Sequence, residues 1–388
     1  MHSNTILSQL QHLVPRHHFD KLVSDHSGDY YVKNFSCWNQ LTVLLYAQAS
    51  GLNSLRDIQT SLSANTGKLY HLGLTSVKRS TLSDANLNRN YMIYESLFYK
   101  ILEHTKALTP KHSFKFKNPL NILDATVIDI CLSAFPWAKF VKAKGAIKLH
   151  CQLEYGGNIP SFVVITYGRK QEITVARESF NITADSIYCF DKGYISYKWF
   201  NYIDKQKAFF VTRARDNMDY TVIGQHNSDK KKNIISDEII ALANIQKKDD
   251  YSGNLRLIKF KDPATGNTLV FLTNNFSLSA STITAIYKAR WQIEVFFKWI
   301  KQNLKIKSFL GTSKNAVLTQ VWIAMCYYLL LAYIKYQTNY KYSLFYLHKV
   351  IRATILEKFS LIDVLNLSIK SAKIHPGPDP QLSLNLGF

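Results

Sequence analysis

The chain has 388 residues, 47% apolar and 13% aromatic, enough to bury a sizeable core and too apolar for a disordered protein. Lysine and arginine number 48 against 27 acidic residues, and the net charge of +21 points to a polyanion such as nucleic acid as the partner. The five cysteines are scattered without a CxxC pair, which argues against a disulfide scaffold or zinc site. The opening MHSNTILSQLQHLVPRHHF lacks a basic stretch followed by an apolar core, so a reduced, cytoplasmic setting is expected.

Residues 1–106 read as a helical amino-terminal domain. FSCWNQLTVLLYAQA (35–49) carries apolar groups at helical spacing, SLRDIQTSL (54–62) can begin a second helix, and the stretch from Ser76 to His104 is basic in front and amphipathic behind. A basic, proline-bearing linker (106–119) precedes a change of pattern. LNILDATVIDICL, KGAIKLHCQLEY and IPSFVVITYG have the β-branched, alternating character of three strands. A short helix near 172–180, the buried strand in SIYCFDKGY, a helix in SYKWFNYIDKQ and a fifth strand in AFFVTRAR follow. This succession is the order of an RNase H-like fold. Residues 216–275 add β-type segments, YTVIGQ, NLRLIKFKD and TLVFLTNN, around the lysine run Lys230–Lys232, with DPATGN as a hairpin turn.

The stretch SLSASTITAIYKARWQIEVFFKWIKQNL (277–304) reads as one amphipathic helix opened by serines and free of glycine and proline. At roughly 100° per residue, Tyr287, Arg290, Lys298 and Lys301 fall within about 40° of Glu294, beside an apolar arc that includes Ile286, Ile293, Phe297 and Ile300. The run AVLTQVWIAMCYYLLLAYI (316–334) is long enough to mimic a membrane span, yet Thr319 and Gln320 interrupt it. A buried core helix is expected there. Residues 342–367 are expected to be helical, with an irregular tail after them.

The order Tyr287, two residues, Arg290, three residues, Glu294, six residues, Lys301 resembles the Y-R-E-K signature of the DDE transposases of bacterial insertion sequences, specifically insertion-sequence family four. Two upstream acids have the right setting. Asp124 stands inside an apolar strand, in LDAT, where a carboxylate is expensive to bury unless paired or metal-bound. Asp191 ends the strand SIYCF just before Gly193. In an RNase H-like sheet the two strands are neighbours, so both side chains can converge while Glu294 reaches in from the helix. The resemblance covers roughly residues 10–340 and assigns Asp124, Asp191 and Glu294 to its acid triad. Asp129, an odd number of positions from Asp124, and Asp204, in a helix, are weaker rivals.

The resemblance implies cleavage of DNA at the element's terminal inverted repeats and transfer of the exposed 3′-hydroxyl to target DNA. Two Mg²⁺ ions, with Mn²⁺ able to substitute, would be held about 3.5–4 Å apart by the three carboxylates. Arg290 and Lys301 would hold phosphates, Tyr287 would give a hydroxyl contact, and Lys298 lies on the same stripe. The cluster Lys139, Lys142, Lys144 and Lys148 is a candidate phosphate track. Relatives that excise through a DNA hairpin hold a flipped base with a Trp in the β insertion; no Trp lies between Trp199 and Trp291 here, leaving Phe260 and Phe271 as candidate stacking residues. His150 reads as a satisfied core histidine or a neighbour of the metal site, and Trp137 as a core or corner residue rather than a base-stacking platform. Also implied are a homodimer in the synaptic complex, a nucleoid-associated location and no membrane. The expected division is a DNA-binding domain (1–106), a split α/β RNase H-like core (107–215 and 276–340), a β-rich insertion (216–275) and a carboxyl-terminal segment (341–388). The alternatives are an RNase H-like endonuclease that cuts without joining, and a catalytically inactive DNA-binding derivative.

Overall fold

A computed structural model describes residues 4–366, apart from 142–143, 227–232, 244–249, 305 and 307; the lysine run 230–232, Lys142 and the tail from 367 therefore lie outside the described residues. The helices are α1 (Ile6–His12), α2 (Arg16–Asp25), α3 (Cys37–Ser50), α4 (Leu55–Ser63), α5 (Thr66–Leu69), α6 (Arg79–Asn88) and α7 (Met92–Lys106). Next come β1 (Leu120–Ile130), β2 (Lys139–Val141), β3 (Lys144–Glu154), β4 (Ile159–Tyr167), α8 (Glu172–Ser179), β5 (Ile187–Cys189), α9 (Tyr197–Lys205) and β6 (Phe209–Arg213). The chain continues through β7 (Tyr220–Gln225), β8 (Ile234–Leu242), β9 (Leu255–Lys261) and β10 (Thr268–Thr273). It ends in α10 (Ala280–Ala289), α11 (Trp291–Asn303), α12 (Lys314–Gln337) and α13 (Leu344–Thr354).

The described residues form two compact units, one from within 4–110, 128–146 and 298–366, the other from within 111–127 and 147–297. The first is helical. Helix α3 starts in a capping box, Ser36 accepting from Asn39 N–H while the Asn39 side chain accepts from Ser36 N–H. It stops at Gly51, whose φ of 73° is the left-handed geometry that glycine adopts without strain. Helix α12 lies against α7 and α3. It is apolar on all sides because all sides are covered: 94% of its most apolar window is buried, by α-helices of its own unit among other neighbours. Gln320, one of the two polar interruptions, is satisfied by accepting from Leu310 N–H at 2.8 Å and donating to Ser308 C=O at 2.8 Å. By length and composition this is the one candidate membrane span among the described residues, and its burial is that of a core helix.

The second unit is built on a mixed sheet, ordered β3-β1-β5-β6-β10-β9-β8-β7, with β4 on the other side of β3; the short β2, in the first unit's 128–146 segment, pairs with Lys144 and Gly145. Strands β1, β5 and β6 are parallel, whereas β10, β9, β8 and β7 follow one another antiparallel. Side chains alternate between two cores. Tyr188, Phe190, Phe210, Leu257 and Leu272 pack with Phe180, Trp199 and Phe200 from the α8–α9 side. Ile187, Cys189, Val211, Ile258 and Phe271 pack with Ala280, Ile283 and Ile286 of α10. Both faces of the sheet are thus covered, which accounts for the near-continuous apolar runs of β5 and β6.

Two sequence expectations are corrected. Residues 277–304 do not form a single helix: the backbone breaks at Arg290, where Arg290 N–H reaches Tyr287 C=O and Ile293 N–H reaches Arg290 C=O, i→i+3 bonds that tighten one turn. Of the serines that open it, Ser279 caps the helix by accepting from Thr282 N–H. In addition, IISDEIIAL (β8) is a strand that the pattern did not disclose, because Asp237 and Glu238 interrupt its apolar alternation. Asp237 is buried there, in a two-pronged pair with buried Arg256 at 2.8 and 2.6 Å. Asp237→Ala would leave that guanidinium without its counter-charge and is expected to cost about 3–5 kcal/mol, measured as a fall in the denaturant midpoint.

Candidate active site

The parallel register brings the two aspartates level. The last paired rung of β1 and β5 is Ile122 opposite Cys189, and Asp124 and Asp191 each lie two residues beyond it. Two-residue periodicity places both on the α10 side of the sheet, since Leu120, Ile187 and Cys189 belong to that core and Leu123, Tyr188 and Phe190 to the other. Asp191 turns out of β5 by accepting Gly193 N–H at 2.9 Å. A side chain at Gly193 would bring its Cβ to 3.0 Å from that same carboxylate oxygen, so glycine preserves the close turn.

Helix α10 delivers the remaining groups. Its apolar residues Ile283 and Ile286 fix it in the core, and Cys189 Sγ donates to Ile286 C=O at 3.7 Å. Tyr287 packs its ring 5.1 Å from that of Phe271, and burial pushes its hydroxyl up to about 12. Arg290, at the break, spans two acids: Nη1 donates to Asp124 Oδ2 at 3.1 Å and Nη2 to Glu294 Oε1 at 2.6 Å. Its Nε–H is buried without a hydrogen-bond partner. Burial works against the guanidinium charge, but Tyr287, Asp124 and Glu294 more than compensate and raise its affinity for the proton.

Asp124 is the most perturbed carboxyl of the group. Its side chain is 17% exposed, and burial, reinforced by the negative fields of Asp191 and Glu294, pushes it up to about 7 although Ala125 N–H and Arg290 favour the ionised form. The arrangement is therefore short of positive charge even with Arg290 in place. Three hard-oxygen donors in such a field suit a divalent cation chemically. Spatially, the carboxylates are turned to other partners: among the described residues no three His, Cys, Asp or Glu groups are gathered closely enough to hold an ion, and Arg290 stands between Asp124 and Glu294.

The other candidates have definite places. Lys298 is exposed and Lys301 half-buried on α11, four and seven residues after Glu294. Lys148 is neutralised by Glu172 at 2.7 Å, and Lys144 begins β3. Phe271 is 1% exposed, a core position unsuited to receiving a base, whereas Phe260 is half-buried beside it. Asp204 accepts from Asn274 at 2.8 Å, a structural partner, and Asp129 is exposed. His150 is buried, bonded through Nε2 to Thr166 Oγ1 at 2.9 Å and pushed down to about 4 by burial. Trp137 donates to Thr312 C=O at 2.7 Å, a corner tie. Sequence reasoning missed the Asp237–Arg256 pair; the signal was an acid and a base, each inside an otherwise apolar segment.

Comparison with known proteins identifies the family. Residues 115–330, more than half the chain, match the family described as Transposase DDE domain, and residues 2–75 match a domain of unknown function (DUF4372). The y4zB protein of Sinorhizobium fredii, named as a transposase, is 34% identical over 64% of this chain and 69% of its own length. A protein named as the transposase of insertion sequence element IS5377 from Geobacillus stearothermophilus is 30% identical over 71% and 72%, respectively. Among solved structures, the piggyBac transposase synaptic complex with hairpin DNA covers 96% of this chain and 80% of its own at a TM-score of 0.43 and 11% identity. The chain belongs to the DDE transposases of bacterial insertion sequences. It is a DNA transposase, an enzyme that cleaves and transfers DNA strands.

Proposed function

We propose that this transposase moves its element by cut-and-paste: it binds the terminal inverted repeats, cleaves to free a 3′-hydroxyl, and joins that end to target DNA, with Asp124, Asp191 and Glu294 as the acid triad. The observation that carries the reading is Arg290, which draws together Asp124 and Glu294 from positions 170 residues apart in the chain, on the sheet face where Asp191 also lies. The strand order β4-β3-β1-β5-β6, parallel at its centre, supports an RNase H-like core with β7–β10 inserted before α10. The Y-R-E-K spacing supports membership of insertion-sequence family four.

DDE domains generally use divalent metal ions. The three carboxylates would hold two Mg²⁺ ions, with Mn²⁺ able to substitute, once Asp124 and Glu294 part from Arg290. When bound, such ions neutralise charge on the attacking and leaving oxygens of the phosphodiester. Arg290 would then have to offer to phosphate the Nη groups now given to Asp124 and Glu294. Tyr287 supplies a hydroxyl beside it, while Lys298, Lys301, Lys142 and Lys144 provide charge along the backbone; Lys148 would first have to leave Glu172. The helical segment 1–106 is assigned to recognition of the element ends, Phe260 to base stacking, and two copies to a nucleoid-associated synaptic complex.

A labelled duplex made from the DNA flanking the gene, already nicked at its 3′ end, tests the reading. Incubated with Mg²⁺ and an excess of plasmid, it is expected to become covalently joined to the plasmid. Shortened fragments without joined product would replace transposition by simple endonuclease action.

A further inference from the structure

Arg256 and Asp237 belong to β9 and β8, the segment between the second and third acids, and both are essentially inaccessible. Burying such a pair is a poor way to gain stability, because desolvation offsets the attraction, so its position calls for another explanation. The explanation lies in what Arg256 does with its remaining donor. Nη1 donates to Asn275 C=O at 3.2 Å and to Leu278 C=O at 2.5 Å, both on the short link from β10 to α10. The Asn275 side chain meanwhile accepts from Ser277 N–H at 3.1 Å and Leu278 N–H at 2.9 Å, and Asn275 N–H donates to Thr273 Oγ1 at 3.0 Å. Asn274 is held separately, donating to Ala208 C=O at 3.0 Å and accepting from Phe210 N–H at 2.9 Å. Every turn of this link is thus fixed just before the helix that presents Tyr287 and Arg290.

We propose that Arg256, oriented by Asp237, is a positioning residue that sets the start of α10 and through it the placement of Tyr287, Arg290 and Glu294. Asp237 locks the guanidinium plane with two parallel bonds, leaving Nη1 aimed at the two carbonyls; a lysine has neither the plane nor the second prong. The β8–β9 pair is in this sense a brace for the acid-bearing helices, a task distinct from contact with DNA. The proposal rests on the assignment of those helices to strand cleavage.

The full-length protein, Arg256→Lys, and the double variant Asp237→Leu with Arg256→Met are compared by melting temperature, by cleavage of the flanking-DNA duplex with Mg²⁺, and by amide exchange over residues 276–290. The double variant removes both buried charges together and so avoids the penalty of an unpaired ion. It is expected to melt near the parent, to keep the parental half-saturating DNA concentration, to lose about 10- to 100-fold in kcat, and to exchange faster over 276–290. Arg256→Lys is expected to show the same split between kcat and KM. Parental turnover in the double variant, or parental protection over 276–290, overturns the proposal. Should the parent itself fail to cleave, the transposition reading falls, and the exchange comparison alone decides whether the brace exists.

Discussion

Glu294→Gln, Asp124→Asn and Asp191→Asn are each expected to reduce strand cleavage by about 10³-fold or more, the scale on which removal of one member of a concerted group is felt. Each change preserves size and removes a negative charge. DNA binding, carried by cations spread over the protein, is expected to change little, so a mobility-shift titration of the same variants should nearly superimpose on the parent. The three differ in their surroundings. Asp124→Asn and Glu294→Gln each deprive Arg290 of an ionic partner, whereas Asp191 is bonded to Gly193 N–H and not to Arg290. Retained cleavage in any one of them would remove that residue from the triad.

The second large effect concerns stability and has the opposite sign to the loss of activity. In the folded protein Asp124 is pushed up to about 7, mainly by burial, from an ordinary value of 3.8. The folded state therefore holds this proton more tightly than the unfolded chain does. Its contribution is most favourable below about pH 4, is lost as pH rises from about 4 to about 7, and is constant above that. The cost at pH 8 is at most about 4 kcal/mol. Asp124→Asn escapes it, although the loss of an ionic partner for Arg290 offsets part of the gain. In EDTA at pH 8 the variant is expected to melt higher than the parent, by about 1 °C for each kcal/mol retained, with the difference shrinking towards pH 5. Equal melting curves at pH 8 would show that Asp124 carries no such burden.

Much of this site was legible before any coordinates. Asp124 stood out as an acid in an apolar strand, Asp191 by its place before Gly193, and Glu294 by its spacing from Tyr287 and Arg290; each signal is local in sequence. The level placement of the two aspartates was also foreseeable, because adjacent parallel strands put equivalent positions side by side. The tether of Arg290 to Asp124 was not, since rotamer choice between two acids and a phosphate depends on what else is present. Nor was the break at Arg290 visible: no glycine or proline marks it, and the cause is a backbone bond pattern that helical periodicity does not encode. Strand β8 stayed hidden for a related reason. Asp237 reads as a surface residue until Arg256, nineteen positions away, is known to be its diagonal neighbour on the next strand.

Helix α12 has a practical corollary for anyone who would isolate the first hundred or so residues. Helices α3 and α7 have a large part of their covering supplied from positions 314–337, more than 200 residues further along the chain. Phe98 meets Trp322 with ring centroids 5.3 Å apart, and Asn315 donates to Asn86 C=O at 3.0 Å while accepting from Tyr91 N–H at 3.1 Å. A fragment cut at the linker would leave those greasy flanks bare in water and collect in inclusion bodies.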